Sequence, residues 1–172
     1  MDVEQRGIGP MTWNPDLLLE DFRRVASMAG VSLALNAIAI ERCPAPHVPP
    51  RGLPPGTMAV YIFSFGPHVL KVGKVGPNSA ARYTAQHYNA GSAKSTLAAS
   101  LIKHGERIGV AGLNETNVAG WIREHTDRVN FILDASLGVH VLNLLEAFLQ
   151  CRLRPEFEGF ASQRIDREGG QA

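Results

Sequence analysis

The spacing of apolar residues predicts a helix near each end of the chain. Asn14-Pro15 supplies a capping side chain followed by a proline that suits the first helical turn. The apolar positions that follow recur every three or four residues: Leu18, Phe22, Val25 and Ala29. Near the other end, residues 138–153 are apolar around most of a helical circumference and stop before Pro155. The pattern therefore predicts an N-terminal helix that ends at Gly30 and a long C-terminal helix.

Between these helices, short apolar runs predict strands. Residues 57–65 and 68–75 are rich in aromatic and β-branched residues and flank Gly66-Pro67, which is typical of a β-hairpin. A third strand is predicted over 129–133. Helices are predicted between the hairpin and that strand, over 79–87, 95–104 and 114–125. This order of elements predicts an α+β fold on a small, mainly antiparallel sheet.

Prolines suggest how the chain is divided. Six of them fall within residues 43–55, which we interpret as an extended linker. The apolar residues 32–40 before it are ambiguous between helix and strand. We therefore predict an N-terminal tail, helical arm and proline-rich linker over 1–56, a main domain over 57–160, and a mobile tail over 161–172.

Composition narrows the class of protein. The two cysteines, Cys43 and Cys151, are too few for a disulfide framework and fit a reducing compartment, so we expect a cytoplasmic protein. No apolar run is long enough to cross a bilayer, so we expect no membrane partner. Although the net charge is only +1, residues 42–105 contain no Asp or Glu and seven Lys or Arg. An acid-free basic stretch favours a phosphate-facing surface, with chance segregation of charge as the alternative.

Motifs of several other enzyme classes fail on spacing. Six residues rather than four separate Gly66 from Gly73-Lys74, and Val75 replaces the hydroxyl residue of a phosphate-binding loop. Cys43 and His47 form at most half of a zinc site. No Gly-x-Ser-x-Gly turn marks a serine hydrolase.

The predicted hairpin carries the first candidate for chemistry. If it turns about Gly66, Tyr61 and Lys71 are cross-strand neighbours on one face. The ammonium would stabilise the phenolate form and help the phenol to accept a proton. The alternative is a packed tyrosine and a solvated lysine at the edge of a strand.

Two further side chains are placed to act on a phosphate. Arg82 lies in the first turn of the helix after the hairpin, where a guanidinium and a helix N-terminus both attract phosphoryl groups. Glu146 is the only acid between Ala135 and Pro155, and its leucine neighbours leave the carboxylate in need of a cation, either an arginine or a metal ion. A surface arginine and an ordinary boundary glutamate are the alternatives.

Taken in order, these residues resemble the signature of the GIY-YIG nuclease superfamily. Ala59-Val60-Tyr61, followed ten residues after the tyrosine by Lys71-Val72-Gly73, resembles the two motifs that name the family. Arg82 is similar in position to the family's helix arginine, Glu146 to its metal-binding glutamate, and His87 to its histidine or tyrosine. The resemblance extends over roughly residues 57–159.

The chain departs from the common signature in three places. Ala59 stands for the first glycine. Lys71 stands for the second motif tyrosine, a replacement seen in a restriction-endonuclease-like branch of the family. The asparagine expected after Pro155 is absent.

The resemblance implies a three-stranded, mainly antiparallel sheet flanked by helices. It also implies hydrolysis of DNA to 5′-phosphate and 3′-hydroxyl ends with one Mg²⁺ or Mn²⁺ ion per active site. Tyr61 would be the general base, assisted by Lys71. Arg82 would neutralise the phosphate in the transition state, and Glu146 would hold the ion. His87 is a further catalytic candidate, and the expected contacts to the DNA backbone are Lys74, Asn78, Lys94 and Lys103.

Three classes of function follow. The favoured one is restriction-type cleavage of double-stranded DNA, for which a homodimer on a palindromic site is one expected state. The second is a repair, recombination or mobile-element nuclease that acts on structured or single-stranded DNA. The third is a non-catalytic nucleic-acid-binding module. Arg123 and Arg128 either add to the DNA contact or face solvent.

Overall fold

A computed structural model describes residues 12–77, 80–92 and 96–157 of the chain. Its strands are β1 (Ile38–Cys43), β2 (Thr57–Phe65), β3 (His68–Val75) and β4 (Asp127–Asp134). They form one antiparallel sheet in the order β1-β4-β2-β3, so that β1 and β3 are its edges. The α+β class predicted from the sequence is confirmed. The predicted count of three strands was one too few.

The additional strand comes from the segment that the sequence left ambiguous. β1 pairs with β4, from Ile38 opposite Leu133 to Cys43 opposite Arg128. Only Ile38 is buried in this strand, because an edge strand has one neighbour and its ends are open to solvent. The apolar alternation that marks a strand is therefore weak here. The part of the chain predicted as a separate arm supplies an edge of the sheet.

Helices cover both sides of the sheet. The helices are α1 (Pro15–Met28), α2 (Ala80–Thr84), α3 (Leu97–His104), α4 (Val118–His125) and α5 (Val139–Leu153). The Asn14 side chain caps α1 by accepting a hydrogen bond from the backbone N–H of Asp16 at 2.8 Å. The helix predicted over 79–87 is shorter, since α2 ends at Thr84 and a 3₁₀ turn follows at Gln86–Tyr88. Within the described ranges, no helix is long and apolar enough to cross a bilayer.

Strand alternation divides the sheet into two faces. One face, which we call the apolar face, is covered by α1 and α5 and buries aliphatic and aromatic residues such as Val60, Val129 and Phe131. The opposite face packs against α3, α4 and the 3₁₀ turn at Gln86–Tyr88. We call it the cationic face, and it carries Tyr61, Phe63, Lys71, Arg128 and Asn130.

Candidate active site

Tyr61 lies in the centre of the sheet, between Gly73 of β3 and Asn130 of β4. Its side chain is 1% exposed and extends over Gly73. A Cβ atom at position 73 would lie 2.6 Å from Cζ of Tyr61, closer than real Cβ contacts come. A larger residue at position 73 would therefore displace the phenol, because the phenol occupies the space of its side chain. The phenol oxygen consequently lies above β3, an edge strand.

His87 holds the oxygen of this phenol. Its Nε2 atom is 2.6 Å from the Tyr61 hydroxyl oxygen, and its Nδ1 atom accepts a hydrogen bond from the backbone N–H of Leu97 at 3.3 Å. Burial is the main cause that lowers the pKa of His87 to about 3, and three nearby cations contribute to the same decrease: Lys71, Arg128 and Arg82. The imidazole is therefore neutral at pH 7.

The two hydrogen bonds of His87 fix its tautomer. Because Nδ1 accepts from Leu97, the single ring proton lies on Nε2, which then donates to the Tyr61 oxygen. His87 thus cannot take the proton of Tyr61 at neutral pH. With a 3% exposed side chain, it also has no surface with which to contact a DNA backbone.

Two predicted cations lie on the same side of the sheet as Tyr61. Lys71 is 9% exposed and stands opposite Phe63, so it is diagonal to Tyr61 rather than directly across from it. A bulge after Phe63 shifts the register, which a turn placed at Gly66 could not predict. Arg82 is exposed in α2, near enough to lower the pKa of His87.

Arg128 is a site residue for which the sequence predicted a different place, either in the DNA contact or facing solvent. It neither faces solvent nor lies where it could bind DNA, since it is fully buried in β4. Its guanidinium carbon lies 4.7 Å from the ring centre of Tyr83, 5.1 Å from that of Phe63 and 5.7 Å from that of Tyr61. The alternation Arg128-Val129-Asn130-Phe131 was the available signal, because it predicts two polar side chains on one face of a strand.

Glu146 lies on the other side of the sheet. Its Oε2 atom is 2.6 Å from Nζ of Lys74, and the two side chains are 18% and 38% exposed. Lys74 follows Gly73 in β3, and strand alternation therefore directs it towards α5 and the apolar face. The structure brings Tyr61 and His87 together on one face and Lys74 and Glu146 together on the other. It does not gather all the predicted groups on one side of the sheet.

Adjacent residues of the edge strand β3 link the two groups, because the Tyr61 ring lies against Gly73 and the next residue is Lys74. After α5, the chain bonds to the first half of β3. The backbone N–H groups of Glu156 and Phe157 donate hydrogen bonds to the carbonyls of Val69 and Leu70 at 2.9 and 3.0 Å. Among the described residues, only β2, on the inner side of the strand, pairs through its backbone with β3 between positions 71 and 75. β3 therefore has no further strand paired along this half of its outer edge, beside Gly73 and Lys74, among the described residues.

Metal binding would depend on Glu146. In the part of the chain that the structure describes, no three His, Cys, Asp or Glu side chains are grouped to hold one ion. A single carboxylate still fits Mg²⁺, which keeps several waters and takes further oxygen ligands from a substrate phosphate. Such an ion would have to displace Lys74 from the carboxylate. Of the predicted DNA contacts, Lys103 is exposed in α3, whereas Asn78 and Lys94 lie outside the described residues.

Comparison of the chain with family models, with curated proteins and with solved structures gives no match.

Proposed function

We propose that the chain is a metal-dependent DNA endonuclease of the GIY-YIG type. The observation that carries the proposal is the environment of Tyr61. Its buried phenol oxygen lies over the edge strand, accepts a hydrogen bond from neutral His87, and shares its face with Lys71 and Arg128. The His87 donor and the two cations stabilise negative charge on this oxygen against the opposing effect of burial, and the phenolate would accept a proton from water.

The substrate phosphate would lie along the outer edge of β3, beside Gly73 and Lys74. Attack by water on phosphorus would transfer one proton to the Tyr61 phenolate and break the bond to the 3′ oxygen, which would take up a proton from solvent. The products would carry 5′-phosphate and 3′-hydroxyl ends. Arg82, exposed on α2, would neutralise charge that develops on the phosphate oxygens. His87 would keep its Nε2–H directed at the Tyr61 oxygen and so hold the base in place.

Glu146 would hold Mg²⁺ or Mn²⁺ from the opposite side of the strand. The ion, when bound, supplies positive charge next to the phosphate and the leaving oxygen. Lys74 would leave the carboxylate as the ion enters, and its freed ammonium would then contact the DNA backbone. The exposed Lys103 would extend that contact along α3. Neutralising phosphates in this way makes DNA affinity decrease steeply as salt is added.

The test is incubation of the protein with plasmid and with single-stranded DNA, with Mg²⁺ or EDTA. Discrete plasmid fragments that can be religated indicate restriction-type cleavage, whereas degraded single strands indicate a repair-type nuclease. We expect Tyr61→Phe to reduce the rate about 10²- to 10⁴-fold, the usual contribution of a general base. Tyr83→Phe is the matched control, because Tyr83 contributes to the same face but donates its hydroxyl to Glu41.

The carboxylate has its own test. Glu146→Gln is expected to abolish cleavage and to spare DNA binding measured by gel shift in EDTA. Glu156→Gln, an acid beyond α5 that contacts His68, is the control. Cleavage by Glu146→Gln at the wild-type rate would remove the metal assignment.

A second candidate is a non-catalytic nucleic-acid-binding module. The observation that favours it is the ion pair between Lys74 and Glu146, which neutralises the only proposed metal ligand on the face opposite Tyr61. For such a module we expect salt-sensitive DNA binding and no cleavage with either metal ion. Lys74→Met separates the two candidates, because freeing Glu146 should strengthen metal binding in a nuclease, as measured by Mn²⁺ electron paramagnetic resonance.

A further inference from the structure

The buried guanidinium of Arg128 has no anionic partner among the residues that the structure describes. Its Nε donates to Asn130 Oδ1 at 2.9 Å, one terminal nitrogen to the backbone carbonyl of Tyr83 at 2.7 Å, and the other to the Tyr88 hydroxyl at 3.3 Å. All three acceptors are neutral. A cation that leaves water completely needs either a counter-ion or a compensating function, because apolar residues of similar size would pack at lower cost.

The nearest carboxylate in this hydrogen-bond network is linked to Arg128 through one intervening residue. Glu41 Oε2 accepts from Asn130 Nδ2 at 2.7 Å and from the Tyr83 hydroxyl at 2.8 Å. Glu41 belongs to β1 and is exposed, so much of its charge is screened by solvent. The charge of Arg128 is thus only partly compensated through neutral dipoles, and its field extends into the cationic face.

The aromatic rings around Arg128 show where this field acts. The guanidinium lies over the rings of Tyr83, Phe63 and Tyr61. Only the Tyr61 hydroxyl is held over β3 by a neutral imidazole donor. Ionisation spreads negative charge from the oxygen into the ring, so a cation over the ring stabilises phenolate more than phenol.

We propose that Arg128 is a positioning residue that stabilises the phenolate form of Tyr61 from one face of its ring. Its meaning for catalysis rests on the proposed function, in which Tyr61 is the base. The effect on Tyr61 itself is a property of the folded chain and is measurable without DNA.

Other charged groups near Tyr61 must be separated from Arg128. Lys71 of β3 and Arg82 of α2 lie close enough to lower the pKa of His87, the hydrogen-bond partner of Tyr61, whereas His87 itself is neutral. These groups are unchanged by a substitution at position 128. Any change that follows such a substitution therefore reports on Arg128.

The chain is suited to a direct measurement because it has three tyrosines. Burial, followed by the hydrogen bond to Glu41, raises the pKa of Tyr83. Burial also raises the pKa of Tyr88, against the opposing charge of Arg128. With ¹³Cζ-labelled tyrosine, NMR gives one signal per residue, assigned by single Tyr→Phe variants. The ionisation midpoint of Tyr61 is read from its own signal as pH increases.

Three variants test the proposal. Arg128→Gln is expected to raise the Tyr61 midpoint by about one pH unit or more, the usual effect of a charge at this range. Arg128→Lys keeps the charge and should restore most of the difference. Glu41→Gln removes the partly compensating charge and keeps an acceptor for Asn130, so it should lower the midpoint. Arg152→Gln is the matched control, because Arg152 lies over the Phe148 ring on the apolar side at 5.8 Å.

An unchanged Tyr61 midpoint in folded Arg128→Gln overturns the proposal. If Arg128→Gln does not fold, the test depends on Glu41→Gln, which changes an exposed residue. A Tyr61 midpoint that does not decrease in Glu41→Gln overturns the proposal equally. If the Tyr61 midpoint shifts but the protein never cleaves DNA, the role of Arg128 stands and the proposed nuclease function is rejected. If the protein cleaves DNA but the Tyr61 midpoint does not shift in Arg128→Gln, only the role of Arg128 is rejected. In a cleaving protein, the acid limb of the pH–rate profile should move with the midpoint.

Discussion

The apolar and cationic faces of the sheet are formed by alternate residues of the same strands, yet only one of them buries charge. In β4, Val129 and Phe131 pack under the helices of the apolar face, whereas Arg128 and Asn130 are buried on the cationic face. Burial of apolar surface stabilises the fold, while burial of a guanidinium opposes it. The apolar face therefore supplies stability that offsets the cost of burying polar and charged side chains on the cationic face.

The same division separates the two halves of the proposed site. Tyr61 and His87 belong to the cationic face, where both side chains are buried and are joined by a hydrogen bond of 2.6 Å. Lys74 and Glu146 lie at the margin of the apolar face, where both remain partly exposed. A base needs a fixed position, whereas a Mg²⁺ ligand must exchange water and substrate oxygen. Each half is therefore in the environment that its proposed role requires.

The largest expected effect on stability comes from the apolar face. Leu145 of α5 is fully buried in that core. Leu145→Ala should reduce the free energy of unfolding by about 2–5 kcal/mol, through lost burial and the cavity left behind. Urea denaturation measures this value. Leu17→Ala, at a 59% exposed position of α1, is the control and should change it by less than about 0.5 kcal/mol. A loss below about 1 kcal/mol at Leu145 would contradict the assignment of this face as the main source of stability.

A substitution at Gly73 should act on the other face and mainly on activity. Gly73→Ala places a methyl group where the Tyr61 ring lies, so the phenol must move. We expect the proposed cleavage rate to decrease about 100-fold, the loss typical of a misplaced reacting group. Gly120→Ala is the matched control, because a Cβ there meets nothing within 4 Å. Equal rates for the two variants would show that the Tyr61 position does not govern the reaction.

A smaller effect is expected from pH and should again be confined to the cationic face. Burial lowers the pKa of His87 to about 3, below the unfolded value of about 6.5. Between these values the unfolded chain binds a proton that the folded chain does not bind. The stabilisation is therefore complete above about pH 6.5 and is lost as pH decreases towards 3, by up to about 1.4 kcal/mol per pH unit.

Urea denaturation from pH 4.5 to 7.5 measures this dependence. His87→Gln should flatten the part of the slope that His87 causes, and the exposed His140→Gln should leave it unchanged. Some slope should remain in the first variant, because burial also lowers the pKa of His47. If the pH dependence of stability is unchanged in His87→Gln, the imidazole of His87 takes up its proton in the folded protein.

Elements whose signals are local could be predicted from the sequence alone. The cap at Asn14 and the apolar spacing after it predicted α1, and the long apolar segment before Pro155 predicted α5. The hairpin was predicted from two apolar runs around Gly66-Pro67. Each of these depends on neighbouring residues only, through helical or strand periodicity and turn preference.

Tertiary structure decided what depends on register and on packing between distant segments. β1 is a strand because β4 offers it hydrogen bonds, and its own sequence carries little signal. The register of the hairpin, set by a bulge, placed Gly73 rather than Lys71 opposite Tyr61. Strand alternation then directed Lys74, and with it Glu146, to the face opposite the phenol. A shift of one residue exchanges the faces of a strand, so the composition of the site could not be read from spacing along the chain.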